Sequence, residues 1–233
     1  MPAENRSSKM LLKRQEHWVD VLAIKDAIEK YKKAPLTPEL VNNTWAILWQ
    51  KWGKRINHTF NIPFCNFTPK ELGDLRSFDR GVLLMPDEVY TPEGLIFLGR
   101  MFPEITSQVV GGKSIVNCAD KGGCIAIDMD IDPQYMPVSE MEALKYAENI
   151  KQVGKLPQRL STYLIGSKFS SLLTYKHFDS NGTSSFLPGS RWKCDDRILL
   201  VHSYGKGDII ADIGLGNNVA HNNWGVRSEW YKN

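Results

Sequence analysis

At 233 residues, 42% hydrophobic and 24% charged, the chain is long enough to bury a core and too apolar for wholesale disorder. Its 29 Lys and Arg against 26 Asp and Glu leave a net charge of +3, too small to argue for nucleic acid by itself. No run approaches the ~18 uninterrupted apolar residues of a membrane span, and MPAENRSSKMLLKRQEHW lacks the apolar stretch of a secretion signal, so a cytoplasmic protein without membrane contact is expected.

The charge is segregated. Residues 1–57 and 151–233 each carry 11 basic and 6 acidic side chains, while residues 58–150 carry 7 and 14. An acidic middle between basic ends can orient a polyanion, or can pair the segments with one another.

The first hundred residues are expected to be helical. HWVDVLAIKDAIEKY keeps Trp18, Val21, Leu22, Ile24 and Ile28 at near-helical spacing. Three later segments, TPELVNNTWAILWQKW, TPKELGDLRSF and TPEGLIFLGRMF, share one start signal. Thr37, Thr68 and Thr91 stand at the N-cap, and a Pro follows at the first helical position, where its missing N–H is no loss. Glu71 lies three residues after Thr68 and completes a capping box.

Beyond about residue 103 the texture becomes strand-like. GGKSIVNC, GGCIAIDMDID, STYLIG, SSLLTY, RILLVHSY and DIIADIGLG are read as strands. One helix interrupts them, over PVSEMEALKYAENIKQVG, with Ser139 and Glu142 as capping box and Gly154 as its stop. FDSNGTSSFLPGSR (178–191) is expected to be a turn-rich surface loop, and SYGKGDII a hairpin turn. The C-terminal GNNVAHNNWGVRSEWYKN has no clear period. The predicted fold is α+β: a helical, Trp-rich part over 1–108 and a mixed, sheet-containing part over 109–233, joined near 109–114, the whole forming one continuous domain or two.

Two stretches carry possible chemistry. In CIAIDMDIDPQY, strand alternation puts Asp128, Asp130 and Asp132 on one face, roughly 6–7 Å apart along the strand. Unpaired carboxylates so placed repel, and a divalent cation relieves that. Two carboxylates holding Mg²⁺ or Mn²⁺ is the arrangement of phosphoryl- and nucleotidyl-transfer enzymes. The same residues also suit a solvated strand face, carboxylates paired with lysines, or a turn opening at Asp132-Pro133. A calcium loop is disfavoured, because Pro133 takes the place that needs Gly.

The second stretch is NNTWAILWQKWGKRINH. Trp45, Trp49 and Trp52 fall on one helical face, with Lys51, Lys54, Arg55 and His58 towards its C-terminal end. Aromatic rings beside a basic rim are used to bind single-stranded nucleic acid. A helix packing its tryptophans into the core, with cations answering its dipole, has the same sequence.

Other patterns fail. Cys65, Cys118, Cys124 and Cys194 lack paired zinc spacing and are expected to be free, mostly buried thiols. GGKS (111–114) has Ser107, not Gly, six places before Lys113, and no G-x-S-x-G accompanies His177, His202 or His221.

Three functions follow as expectations. The first is a nucleic-acid-associated accessory protein, of the kind phages and mobile elements encode. The second is a structural or assembly protein acting through protein partners or self-association. The third is a metal-dependent transferase using the aspartate row. Whether the chain is an enzyme stays open at this point.

Overall fold

The computed structural model describes residues 4–102, 115–119, 121–134, 136–152, 155–204, 208–213 and 220–232. The expected boundary at 109–114, the GGKS stretch, the Gly154 stop, the 205–207 turn and the Trp18 side chain lie outside the described residues.

Among the described residues the chain is α+β, with six helices and nine strands. In order these are α1 (Glu4–Lys33), α2 (Pro38–Lys54), α3 (Pro69–Ser77), β1 (Arg80–Met85), a 3₁₀ turn (Asp87–Tyr90) and α4 (Pro92–Met101). There follow β2 (Ile115–Asn117), β3 (Gly123–Asp128), α5 (Glu140–Gln152), β4 (Lys155–Pro157) and α6 (Leu160–Thr174). The chain ends in β5 (Ser184–Trp192), β6 (Ile198–Tyr204), β7 (Asp208–Ile213), β8 (Trp224–Val226) and β9 (Ser228–Tyr231).

The expected helix starts are where the caps place them. Thr37, Thr68 and Thr91 each accept a backbone N–H of the first turn, from Leu40, Glu71 and Gly94. Both reciprocal bonds of the capping box are present at Thr68–Glu71 and at Ser139–Glu142. Each satisfies N–H groups that a helix start otherwise leaves orphaned.

The strands form two sheets. One is antiparallel in the order β1-β3-β9-β4; the other runs β2-β5-β6-β7, with β8 parallel to β5. The first sheet therefore joins a strand from residues 1–108 to three from 109–233. One hydrophobic cluster likewise includes Trp45, Leu83, Ile125, Phe169 and Leu199, drawn from both parts. A smaller cluster, with Val138, Ala143, Phe186 and Leu200, packs α5 on the other face of the second sheet. No described helix is long and apolar enough to cross a membrane.

Four sequence expectations are corrected. STYLIG and SSLLTY are not strands but the single helix α6, whose residues Leu160 to Ser167 are all buried. A helix buried on every side has no polar face to reveal its period, and its short apolar runs look like strands. FDSNGTSSFLPGSR is a loop only as far as Thr183. From Ser184 it is β5, which lies between β6 on one edge and β2 and β8 on the other. Its serines suit that place because their hydroxyls find buried partners: Ser185 Oγ donates to Asp179 at 2.8 Å and Ser190 Oγ to Asn117 at 2.6 Å. Pro188 and Gly189 fall where the ladder with β6 shifts register between Leu187 and Arg191. The nominally helical first hundred residues contain β1, a continuous buried run, and the period-free C-terminus supplies β8 and β9.

Candidate functional site

α2 ends in a concave site. Val41, Trp45, Leu48, Trp49 and Trp52 form its buried face, and the three indoles are at most 1% exposed. Trp45 Nε1 donates to the Val82 carbonyl at 2.8 Å and Trp49 Nε1 to the Leu84 carbonyl at 2.7 Å. The tryptophan face is thus core, riveted to β1, and not an exposed stacking platform. Arg55, which follows α2, donates to the Met101 carbonyl at 3.0 Å, at the end of α4.

After Lys54 the chain folds back on the helix end. The Gly53 carbonyl accepts both Ile56 N–H and His58 N–H at 3.0 Å. Gly53 is required, since a Cβ there would stand 2.3 Å from the His58 carbonyl oxygen. Asn57 takes the left-handed conformation at φ 55°, which its short polar side chain tolerates. This turn brings His58, Thr59 and Phe60 beside Trp49. The ring of Phe60 lies 4.8 Å from that of Trp49, and His58 packs between Phe60 and Phe97.

The result is a cavity of about 510 Å³, whose apolar lining residues are Trp49, Phe60 and Ile62. Gln50, Lys51, Lys54, Asn57, His58 and Thr59 complete the lining. His58 Nε2 is buried without a hydrogen-bond partner. Lys51 and Lys54 share one acid of α1: Asp20 Oδ1 lies 2.7 Å from Lys51 Nζ and Oδ2 3.4 Å from Lys54 Nζ. The bond from Lys51 holds the Asp20 carboxyl below its usual range. Asp20 carries no motif of its own, yet its place follows from the hairpin. It lies 13 residues before the end of α1 and Lys51 lies 13 after the start of α2, across a short connection.

The aspartate row does not share a strand face. β3 ends at Asp128, which pairs with Arg80 at 3.1 Å on β1. Burial nevertheless leaves the Asp128 carboxyl above its usual range. Asp130 is exposed, and the Asp130 and Ile131 carbonyls are gripped by Arg227 at 2.9 and 2.7 Å. Asp132 accepts from Asn181 at 3.0 Å and Thr183 at 2.9 Å. The carboxylates of Asp128 and Asp132 have separate partners, and among the described residues no group of three or more His, Cys, Asp or Glu is placed to hold a metal ion. The four cysteines are free; Cys65 and Cys124 are buried, while Cys118 and Cys194 are exposed, fewer buried than expected.

Two buried ion pairs, unforeseen in the sequence, tie the segments before and after α6 to Arg227 and Glu229, at and beyond the crossover from β8 to β9. Arg159, just before α6, meets Glu229, and Asp179, just after it, meets Arg227. Asp179 also accepts from Tyr163 at 2.7 Å and Ser185 at 2.8 Å. These side chains are held mainly by the fold's own groups, with Arg159 Nη2 the one buried atom among them that has no hydrogen-bond partner among the described residues, and the α2 cavity brings Lys51 and Lys54 to a concave surface. The chain matches no protein-family model, no curated protein and no solved structure.

Proposed function

We propose that the protein is a nucleic-acid-associated accessory protein that takes hold of its ligand at the cavity beyond α2. The observation that carries this reading is the composition of the cavity lining, which joins Lys51 and Lys54 to Trp49, Phe60 and Ile62. A volume of about 510 Å³ lies within the range of small-ligand pockets. Cations beside an apolar aromatic wall match what a nucleotide presents, a charged phosphate and a flat base. The deciding experiment is a fluorescence-anisotropy titration with a labelled single-stranded oligonucleotide at several salt concentrations. Binding that weakens steadily with salt, and weakens further in K51Q/K54Q, supports the reading. Absence of binding at low salt overturns it.

Assembly through subunit contacts is the second reading, favoured by one feature. Val19 and Leu22 on α1 are 61% and 60% exposed, although both are large and apolar. Light scattering of the wild type against V19S/L22S tests it. A single monomeric mass for both removes it.

A further inference from the structure

We propose that the mouth of the α2 cavity is a seat for a phosphate monoester, which the Asp20 carboxylate fills in the free protein. The inference rests on the nucleic-acid reading above and adds the chemical group that enters and what it must displace.

The geometry of the seat is that of one anion shared by two ammonium groups. Lys51 and Lys54 stand three residues apart on α2, so their side chains rise on the same side of the helix. The two oxygens of Asp20 are divided between them, at 2.7 and 3.4 Å. A phosphate monoester presents the same pair of acceptors, but with about −1.5 to −2 charge at neutral pH and a third oxygen free for another donor. The polar walls hold such donors in Gln50, Asn57 and Thr59. Two lysines therefore gain more from a phosphate than from the single charge of Asp20.

The exchange needs only side-chain rotation. Asp20 and Lys51 are 21% and 20% exposed and Lys54 is 54% exposed, so the bridge already touches solvent. The flanking α1 residues Val19 and Leu22 point largely away from the core, so withdrawing Asp20 breaks little packing. Trp49, Phe60 and Ile62 line the same cavity as the two lysines, with Trp49 and Phe60 almost wholly buried, so a base would rest against their rims. The ligand class is accordingly a nucleoside phosphate unit, presented as the 5′-phosphorylated end of a single strand. Asp20 acts as a built-in competitor: it screens the lysines from weak anions and yields to a doubly charged one.

The test uses the full-length chain and two 3′-labelled oligodeoxynucleotides about eight nucleotides long, one with a 5′-phosphate and one with a 5′-hydroxyl. Wild type, D20N, D20A and K51Q/K54Q are titrated by anisotropy, after thermal melts show which variants are folded. Two exposed ion-pair contacts of the usual strength predict that D20N binds the phosphorylated strand about three- to tenfold more tightly. D20A is expected to do the same, and K51Q/K54Q to lose the preference for the 5′-phosphate. Equal binding of the two strands by the wild type and D20N overturns the seat. Binding that depends on the lysines but is unchanged or weaker in both Asp20 variants overturns the role of Asp20 and leaves the nucleic-acid reading standing. No binding by any folded variant removes both.

Discussion

Arg159 Nε donates to Glu229 Oε1 at 2.8 Å, with both side chains at most 1% exposed. The Arg159 backbone N–H adds a bond of 3.2 Å to Oε2, and its Nη1 donates to the Ala119 and Lys121 carbonyls. The guanidinium also lies 3.6 Å from the centre of the Tyr90 ring. The pair therefore ties the start of α6 to β9 and to the loop before β3. Burial drives the Glu229 carboxyl above its ordinary value even with Arg159 beside it. Desolvation and pairing oppose each other here, so the value of the pair lies less in net stability than in what its breakage leaves behind.

The first prediction follows from that asymmetry. Arg159→Met or Glu229→Leu alone strands a buried charge and is expected to lower unfolding stability by about 3–5 kcal/mol. The double variant is expected to recover much of the loss, because no lone charge remains. Urea unfolding of the four proteins measures the coupling. Additive losses would mean that packing, and not charge, dominates the site.

The tryptophan helix gives the second. Trp49→Phe keeps an aromatic ring in place but removes the donor to the Leu84 carbonyl. The carbonyl already belongs to β1, so the expected loss is about 1–3 kcal/mol, that of a buried hydrogen bond. Trp49→Ala adds a cavity and is expected to lose about 3–5 kcal/mol. A Trp49→Ala protein as stable as wild type would contradict its place in the core.

Glu71 supplies a pH prediction. Its carboxyl is pulled down to about 2, foremost by the hydrogen bond from Lys232 and then by those from Thr68. The folded value is below the unfolded one, so the carboxylate stabilises the folded chain at neutral pH. That contribution is fully present above the ordinary value of 4.5 and is lost as pH falls towards about 2. In the acid limb of a melting-temperature profile, Glu71→Gln is expected to flatten the fall between those values. The carboxyl resonance of Glu71, followed by NMR, should titrate near the lower one.

What could be seen in the sequence was local. The Thr-Pro helix starts and the Ser139 box depend on groups three residues apart, and all four are where the side chains put them. What was hidden depends on distant partners. α6 looks like two strands because it is buried on almost every side, with its few polar groups bonded internally, and β5 looks like a loop because its serines are satisfied by Asp179 and Asn117. The same holds for the cavity. Lys51, Lys54 and His58 were visible as a basic cluster, but the aromatic residues beside them face the core, and Asp20 enters from another helix. Single-chain periodicity tells which face is apolar and not whether that face is covered.

The aspartate row gives the last prediction. A cation between Asp128 and Asp130 would have to displace Arg80 from Asp128, and Asp132 is engaged by Asn181 and Thr183. Moving a guanidinium off a half-buried carboxylate to admit Mg²⁺, which keeps most of its own water, is unfavourable unless a substrate phosphate completes the shell. We expect Mg²⁺, Mn²⁺ or EDTA to leave the melting midpoint of the wild type unchanged. Asp128→Asn with Asp130→Asn should give a protein that responds to cations in the same way. Removing the desolvated charge of Asp128 offsets part of the lost bond to Arg80, so the midpoint of this variant should fall by no more than a few degrees. If Mn²⁺ instead raises the wild-type midpoint by several degrees and the double variant loses the rise, the ion has won the carboxylates from Arg80. A metal-dependent phosphoryl-transfer activity would then displace nucleic-acid association as the first reading to assay.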